Sequence, residues 1–235
     1  MIELIDCSAF LKNQEIVKGI SLKIPKGAFF TIIGESGGGK TLLSRMILNL
    51  LPANFRVTGK IKANREKMDL VLQDPIGSMQ RNISIRTQLH QLLKSKGVEN
   101  KTVRQVRIEQ LLKWVGFDSV DSILDKRTFE LSGGMCQRVA IASALLTEPE
   151  ILIVDEPTSA LDEVSQKMIL ALLWKIYQEK NLTIIFITHD LTIVKEFSTH
   201  VGIMKDGQLI EVGETQQVIS NPSEKYTKEL IQIFE

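Results

Sequence analysis

The segment Gly34-Glu35-Ser36-Gly37-Gly38-Gly39-Lys40-Thr41 constrains this chain more than any other. It has the spacing G-x-x-x-x-G-K-[ST]. It follows a continuous apolar run at residues 28–33 and precedes a stretch, 41–51, with Leu42, Leu43, Met46, Ile47 and Leu50 on one side. Strand, glycine turn and helix in that order make a P-loop. A strand so uniformly apolar is expected in a parallel sheet covered on both faces. The glycines let backbone N–H groups converge on phosphate oxygens, and the helix N-terminus adds a favourable dipole. Lys40 is then placed to reach the β- and γ-phosphates of a nucleotide, and Thr41 to offer its hydroxyl to Mg2+. Pro52 is expected to end the helix.

The rest of the chain reads as α/β around that unit. Residues 2–24 form an antiparallel hairpin broken near Lys12-Asn13, 57–63 a short edge strand, and 68–72 a buried strand. The texture then changes. Residues 76–127 are polar with a helical period. Thr102-Val103-Arg104-Gln105 matches a capping box, Val103, Val106, Leu111 and Val115 make an apolar stripe, and Gly116 caps the C-terminus. This reads as a helical lobe inserted into an α/β domain. The α/β pattern resumes with a strand at 151–154, a helix at 164–177, a strand at 183–188 and a short helix at 191–197. A hairpin turning at Asp206-Gly207 and a C-terminal helix from near Ser223 complete it.

Bulk properties narrow the function classes. A chain of 235 residues, 43% hydrophobic, can form one large domain or a domain with an inserted lobe. With 29 Lys and Arg against 28 Asp and Glu, the balance argues against a nucleic-acid partner and leaves only a local basic patch open. Cys7 and Cys136 are far apart, which gives neither a disulfide framework nor a zinc spacing. No run approaches the roughly 20 apolar residues of a membrane span. The acidic N-terminus, Met1-Ile2-Glu3-Leu4-Ile5-Asp6, does not resemble a signal peptide. The chain is therefore expected in the cytoplasm, reaching a membrane only through partners.

Two further motifs carry chemistry. Ile151-Leu152-Ile153-Val154-Asp155-Glu156 is an apolar strand ending in two carboxylates. Asp155 is suited to the shell of a magnesium ion, and Glu156 to polarising an attacking water. Leu131-Ser132-Gly133-Gly134-Met135-Cys136-Gln137-Arg138 leads a double glycine into a helix, a second anion-binding terminus for which a single nucleotide on one chain has no use. Here the sequence resembles the ABC ATPase family. The resemblance implies a P-loop NTPase (RecA-like) α/β core with an antiparallel β subdomain and an inserted helical subdomain at about 76–145, all within one ABC ATPase domain over 1–235. It further implies that Ser132, Gly133 and Gly134 contact the γ-phosphate held by an opposite subunit. The P-loop residues Gly34, Glu35, Ser36, Gly37, Gly38, Gly39, Lys40 and Thr41 would hold ATP, and Thr41, Gln73 and Asp155 the Mg2+. Gln73 resembles the Q-loop glutamine, Ser159-Ala160-Leu161-Asp162 the D-loop, and His189 in Thr188-His189-Asp190 the switch histidine. Glu156, His189 and Gln73 are thus the implied catalytic set. His90 and His200 have no such context and are read as surface residues.

Some positions depart from the family pattern. The adenine-stacking aromatic would fall at Leu11, with Phe10 beside it. Gly38 stands where a serine, alanine or cysteine is commoner, which should loosen the loop. Cys136 stands where related importers often carry arginine or glutamine, removing a charge close to the implied subunit interface.

Within the family, Gln73-Asp74-Pro75, the signature followed by Gln137-Arg138-Val139, Gln166 after the D-loop and Tyr226-Thr227-Lys228 resemble the oligopeptide, dipeptide and nickel importers. The short C-terminus favours the nickel or metal-chelate type, with a di- or oligopeptide importer as the alternative. A soluble ABC ATPase acting on ribosomes or DNA is the reading from another class. The resemblance implies a second ABC ATPase subunit as partner, in a heterodimer with a homodimer as the alternative. It also implies two transmembrane permease subunits, an indirect extracytoplasmic solute-binding protein, and a peripheral place on the cytoplasmic face of the membrane. Pro75 to Ile85 would rim the permease contact, with Ile76 and Met79 as apolar elements there.

Overall fold

The computed structural model describes residues 1–233. The strands are β1 (Ile2–Leu11), β2 (Gln14–Ile24), β3 (Phe29–Ile33), β4 (Phe55–Lys62), β5 (Met68–Val71), β6 (Ile151–Asp155), β7 (Thr183–Thr188), β8 (His200–Lys205) and β9 (Gln208–Glu214). The helices are α1 (Lys40–Leu48), α2 (Pro75–Ser78), α3 (Ile85–Ser95), α4 (Lys101–Trp114), α5 (Val120–Leu124) and α6 (Gly133–Leu146). They continue with α7 (Glu163–Lys180), α8 (Leu191–Phe197), α9 (Thr215–Ser220) and α10 (Lys225–Ile233). The chain divides into two compact units. One holds Met1–Met68, Glu150–Glu156 and the residues from Tyr177 onward, the other Asp69–Pro149 and Pro157–Ile176.

The first unit is built on two sheets. One is antiparallel, in the order β2-β1-β4, so β4 is the edge strand that its short polar sequence suggests. The other carries the order β6-β7-β3-β8-β9. Here β6, β7, β3 and β8 run parallel, and β9 returns antiparallel beside β8. Every residue of β3, β6 and β7 is buried, which is why these strands read as unbroken apolar runs. Each large aliphatic side chain taken fully from water there contributes about 1.5–3 kcal/mol. Parallel pairing fixes where the chemistry can go. Ile33 lies opposite Thr188, and Asp155 opposite Ile187, so all three strands end on one edge. The segments that follow them, the P-loop, Glu156 and His189, therefore emerge side by side, at the carboxyl ends where open parallel sheets bind ligands.

The β8–β9 hairpin braces the same edge. Asp206 (φ 48°) and Gly207 (φ 80°) both adopt the left-handed conformation that a two-residue turn of this twist demands. The second position admits only glycine, because a Cβ there would be driven into the Ile16 carbonyl. The turn is tied on both sides: Lys18 N–H donates to Gly207 O (2.9 Å), and Gly207 N–H donates to Gly38 O (3.1 Å).

The second unit is helical. Ile85, Leu89 and Leu93 of α3, Ile108 and Leu112 of α4, and Val139, Ile141 and Ala142 of α6 are buried there. Cys136 is fully buried in this unit, its thiol directed at Thr128 O (3.4 Å). A charged side chain at this position would have to be desolvated in the core, so Cys136 is a packing residue and removes nothing from an exposed face. Among the described residues, no helix is long and apolar enough to cross a membrane.

Local chemistry moved several boundaries. α1 stops at Leu48, before Pro52, because Asn49 takes a left-handed C-cap (φ 60°) and Leu50 N–H closes back on Arg45 O (2.8 Å). Leu50 is then 57% exposed. α4 begins at Lys101 because Asn100 Oδ1 accepts from Thr102 N–H and Val103 N–H, two turn-opening donors that the Thr102 box would have left unmet. The face of α4 turned to the core carries Ile108 and Leu112, with Val115 buried just past its end as the stripe expects, while Val103 and Val106 are exposed.

Candidate active site

Gly34 opens the P-loop where the chain passes against β8, and a Cβ at this position would be driven into the Met204 carbonyl oxygen. The loop is held by its own backbone: Gly38 N–H donates to Glu35 O (3.1 Å), and Gly38 O is held by the Gly207 turn. This anchoring offsets the looseness expected of a glycine at residue 38. Gly34 to Gly39 then deliver α1, whose first residue is Lys40.

Lys40 is 4% exposed. Its Nζ donates to Gly34 O and Glu35 O, both at 2.8 Å, and lies 4.0 Å from Glu156 Oε1. Burial pulls the ammonium below the ordinary lysine range, opposed by the nearby charges of Glu156 and Asp155. The side chain is thus already folded back over the loop, where a phosphate oxygen would meet it.

Asp155 ends β6, 2% exposed, and accepts a hydrogen bond from the Thr41 hydroxyl at 3.1 Å. Burial pushes the Asp155 carboxyl up from the ordinary aspartate range. The Thr41 hydrogen bond opposes this rise and the charge of Glu156 adds to it. A carboxylate and a hydroxyl brought together are the hard oxygen donors that Mg2+ takes. Among the described residues no group of three His, Cys, Asp or Glu could cage a metal. A divalent ion here would therefore rest on Thr41, Asp155, water and substrate phosphate, the usual arrangement for Mg2+ at a nucleotide.

Glu156 is the next residue, and its backbone is unusual. It sits at φ 43°, a left-handed conformation rare for a side chain of this kind, and its N–H donates to Ile187 O (3.0 Å). Strained backbone of this sort clusters at functional sites. The turn aims the carboxylate back along the strand edge, 18% exposed, between Lys40 Nζ and His189 Nδ1 at 3.7 Å. His189 is the most open member, with 61% of its side chain exposed. Asp190 next to it caps α8 through Thr192 N–H (2.8 Å), which fixes where the histidine loop ends. The first unit thus brings Lys40, Thr41, Asp155, Glu156 and His189 together.

The pairing of Asp155 gives a signed expectation. A carboxyl whose folded value is raised favours the folded state when protonated. That contribution is complete below the unfolded aspartate value and is lost as pH rises through the folded one. At neutral pH the buried charge is a cost. Asp155→Asn is expected to raise the unfolding free energy of the nucleotide-free chain by about 1 kcal/mol and to flatten its acid-range pH dependence. The same change should cut Mg2+-dependent ATP hydrolysis by about a hundredfold or more. Thermal unfolding at several pH values and a phosphate-release assay check both halves. A destabilised variant would contradict the burial argument.

The remaining sequence-predicted residues belong to the second unit. Gln73 follows β5, and its amide donates to Ser159 Oγ at 3.2 Å, which joins the glutamine to the D-loop. That loop is itself fixed. Gln166 Nε2 donates to Thr158 O (3.1 Å) and Leu161 O (3.0 Å), while Asp162 accepts from Ser165 N–H and Oγ at the start of α7. Ser132 N-caps α6, its Oγ accepting from Met135 N–H (3.3 Å). Gly133 and Gly134 have a packing role too: a Cβ on Gly133 would crowd Leu161, and one on Gly134 would stand 2.9 Å from Ser165 Oγ. The signature glycines therefore let α6 begin hard against the D-loop.

Two contacts escape motif reading. Tyr226, on α10, accepts from the Glu35 N–H at 3.3 Å, and Lys205 Nζ lies 4.3 Å from the centre of its ring. Leu230 and Ile231 of the same helix pack with Ile33 and Leu191, the residues leading into the P-loop and out of the histidine loop. Nothing in a tail sequence signals a contact made across roughly 190 residues of chain. At the other end, the Arg56 guanidinium covers one face of Phe10 at 4.2 Å, a cross-strand pair fixed by the β1–β4 register.

Residues 17–159 match the ABC transporter family. A dipeptide transport ATP-binding protein, DppF, of Lactococcus lactis is 36% identical over 93% of this chain and 74% of its own length. An oligopeptide transport ATP-binding protein, OppF, of Streptococcus mutans is 35% identical over 93% and 75%. The methionine import ATP-binding protein MetN 2 of Acinetobacter baylyi is 38% identical over 94% and 67%. Among solved structures, CbiO1 from Clostridium perfringens, part of the ABC transporter complex CbiONQ, superposes with a TM-score of 0.79 at 28% identity, covering 94% of this chain and 90% of that one. The dimeric ATP-binding cassette MJ0796 bound to ADP and phosphate gives 0.77 at 25%, covering 92% and 99%. A strand-edge cluster of P-loop lysine, paired acids and histidine, in a chain matched to such relatives along nearly its whole length, leads to one statement: this chain belongs to the ABC transporter family, as an ATP-binding subunit whose ATP hydrolysis is coupled to transport.

Proposed function

We propose that the chain powers an ABC importer for di- or oligopeptides. The observation that carries this reading is the match, over 93% of the chain, to subunits named for dipeptide and oligopeptide transport. The nickel or metal-chelate reading drew on the short C-terminus. Length carries no weight against relatives that align with almost all of this chain, and the relatives named above transport peptides or import methionine.

In this reading one ABC ATPase domain spans 1–235, with the helical subdomain at about 76–145. It works as one of a pair on the cytoplasmic face of the membrane. We assign a different ATPase subunit as the partner, with two permease subunits beside the pair and a solute-binding protein acting on them from outside. A cavity of about 370 Å³ whose lining mixes apolar residues (Met79, Ile85, Leu89, Val139) with polar ones (Gln80, Gln88) includes part of the rim expected from Pro75 to Ile85, and supports that rim as the seat of a permease element.

ATP would lie on the backbone N–H groups of Gly34 to Gly39, with Lys40 on its terminal phosphates. Thr41 and Asp155, with Gln73 by family resemblance, would hold Mg2+. When bound, that ion neutralises charge on the β- and γ-phosphate oxygens. Glu156 orients and deprotonates the attacking water, and His189 stabilises charge at the γ-phosphate. Ser132, Gly133 and Gly134 serve the nucleotide held by the partner subunit, which makes closure of the pair depend on ATP.

Uptake of a labelled dipeptide, labelled nickel and labelled methionine by cells lacking this chain tests the substrate. Loss of dipeptide uptake alone, by at least about tenfold and restored by the wild-type chain, is the expected outcome. Loss confined to nickel or to methionine would overturn the peptide assignment.

A further inference from the structure

Residues 81–113 hold eight Lys and Arg against two Glu, in a chain whose totals are 29 and 28. The structure folds this stretch into α3 and α4, which pack together in the helical unit. A cavity of about 450 Å³ lies there, lined by Arg86, His90, Lys94, Lys101, Arg104 and Gln105 among others, and no carboxylate lines it. This volume falls within the roughly 300–1,000 Å³ of small-molecule sites.

The cations of this cavity differ in what already satisfies them. Arg86 is paired with two carboxylates, Asp121 (3.2 Å) and Asp125 (2.8 Å), so that triad adds no positive charge to the cavity and carries a net charge of about −1. Lys94, Lys101 and Arg104 have no ion-pair partner among the described residues. Arg104 is nonetheless held rigidly. Its Nη1 donates to Val98 O (2.6 Å) and Glu99 O (2.8 Å), and its Nε to His90 Nδ1 (3.3 Å). Because a guanidinium can only donate, His90 Nδ1 accepts, its proton sits on Nε2, and it donates to Gln105 Oε1 (2.8 Å). Gln105 in turn donates to Glu109 Oε1 (2.6 Å). His90, read from the sequence as a surface residue, is half-buried and fixes the guanidinium plane. The Nη2 edge makes no hydrogen bond among the described residues.

We propose that this cavity binds a phosphate-bearing anion, supplied either as a free di- or polyphosphate or as a phosphorylated lipid headgroup. A preoriented guanidinium edge in a cavity shared with two exposed ammonium groups matches multiple phosphate oxygens, and holding the arginine in advance removes part of the ordering cost of binding. Nothing in the nucleotide chemistry uses these residues, so the proposal stands apart from the substrate assignment.

The test uses a Lys40→Ala background, which suppresses phosphate binding at the P-loop. Radiolabelled pyrophosphate is measured by equilibrium dialysis, and membrane binding by sedimentation with vesicles of phosphatidylglycerol or of phosphatidylcholine alone. We expect binding to pyrophosphate or to the phosphatidylglycerol vesicles, weakened about tenfold or more by Lys94→Gln/Lys101→Gln and retained in Lys94→Arg/Lys101→Arg. Which probe binds identifies the source of the phosphate. Both lysines are exposed and make no structural ion pair, and an unchanged thermal midpoint verifies that the variants fold. Binding that survives the glutamine substitutions, or no binding to either probe, overturns the proposal.

Discussion

Glu156→Gln is expected to slow ATP hydrolysis by about 10²–10⁴-fold while leaving ATP binding intact. The amide keeps the volume and the left-handed backbone of the native residue (φ 43°), so the Lys40 and His189 contacts at 4.0 and 3.7 Å lose charge but not shape. What disappears is the capacity to accept a proton from water. An ATP-bound pair that cannot hydrolyse cannot reopen, so dimers should accumulate with ATP and dissolve when it is removed. Single-turnover phosphate release and size-exclusion chromatography measure the two effects. Turnover within about threefold of wild type would remove Glu156 from the role of base and return attention to His189.

Lys40→Ala is expected to weaken ATP binding by about a hundredfold or more, the usual scale for truncating one partner of a buried charge pair. The free protein should tolerate the change. The ammonium is buried at a desolvation cost, and its loss leaves the Gly34 and Glu35 carbonyls beside a loop already pinned by Gly207. The signature of a ligand-binding role is therefore a collapse of nucleotide affinity with little change in thermal midpoint. Calorimetric titration with ATP and Mg2+ reads the first and thermal unfolding the second. Affinity unchanged from wild type would refute the role, and a large fall in midpoint would recast Lys40 as a structural strut.

Much of this architecture was legible because the physics behind it is local. β3, β6 and β7 announce themselves through unbroken apolar runs, since a strand covered on both faces has no polar side to show. Asp206-Gly207 declares its turn because few residues accept positive φ in succession. Helix ends were less legible, since several capping schemes compete within a few residues. Asn100 displaced the Thr102 box, and the left-handed Asn49 ended α1 ahead of Pro52. Two apolar rows compete along α4, and which one faces the core is decided by packing: Ile108 and Leu112 are buried where the stripe named Val103 and Val106, although its Val115 is buried as expected. Cys136 shows the same limit at one residue, because which way a first-turn side chain points depends on what the helix packs against.

By itself, the sequence determined the chemical parts: the residue types and spacing of a P-loop and of an acidic strand end, and, through its resemblance to the ABC ATPases, the expected parts of the signature double glycine and of the histidine after a buried strand. Tertiary structure alone decided how the parts meet. The parallel registers of β3 with β7 and of β6 with β7 bring Lys40, Asp155, Glu156 and His189 to one edge, the Gly207 turn pins Gly38, and α10 reaches the P-loop through Tyr226. It also gathered Arg86, Lys94, Lys101 and Arg104 around one cavity. The reason is physical: strand pairing and helix packing act between residues distant in sequence, and no local pattern encodes the distance at which two side chains come to rest.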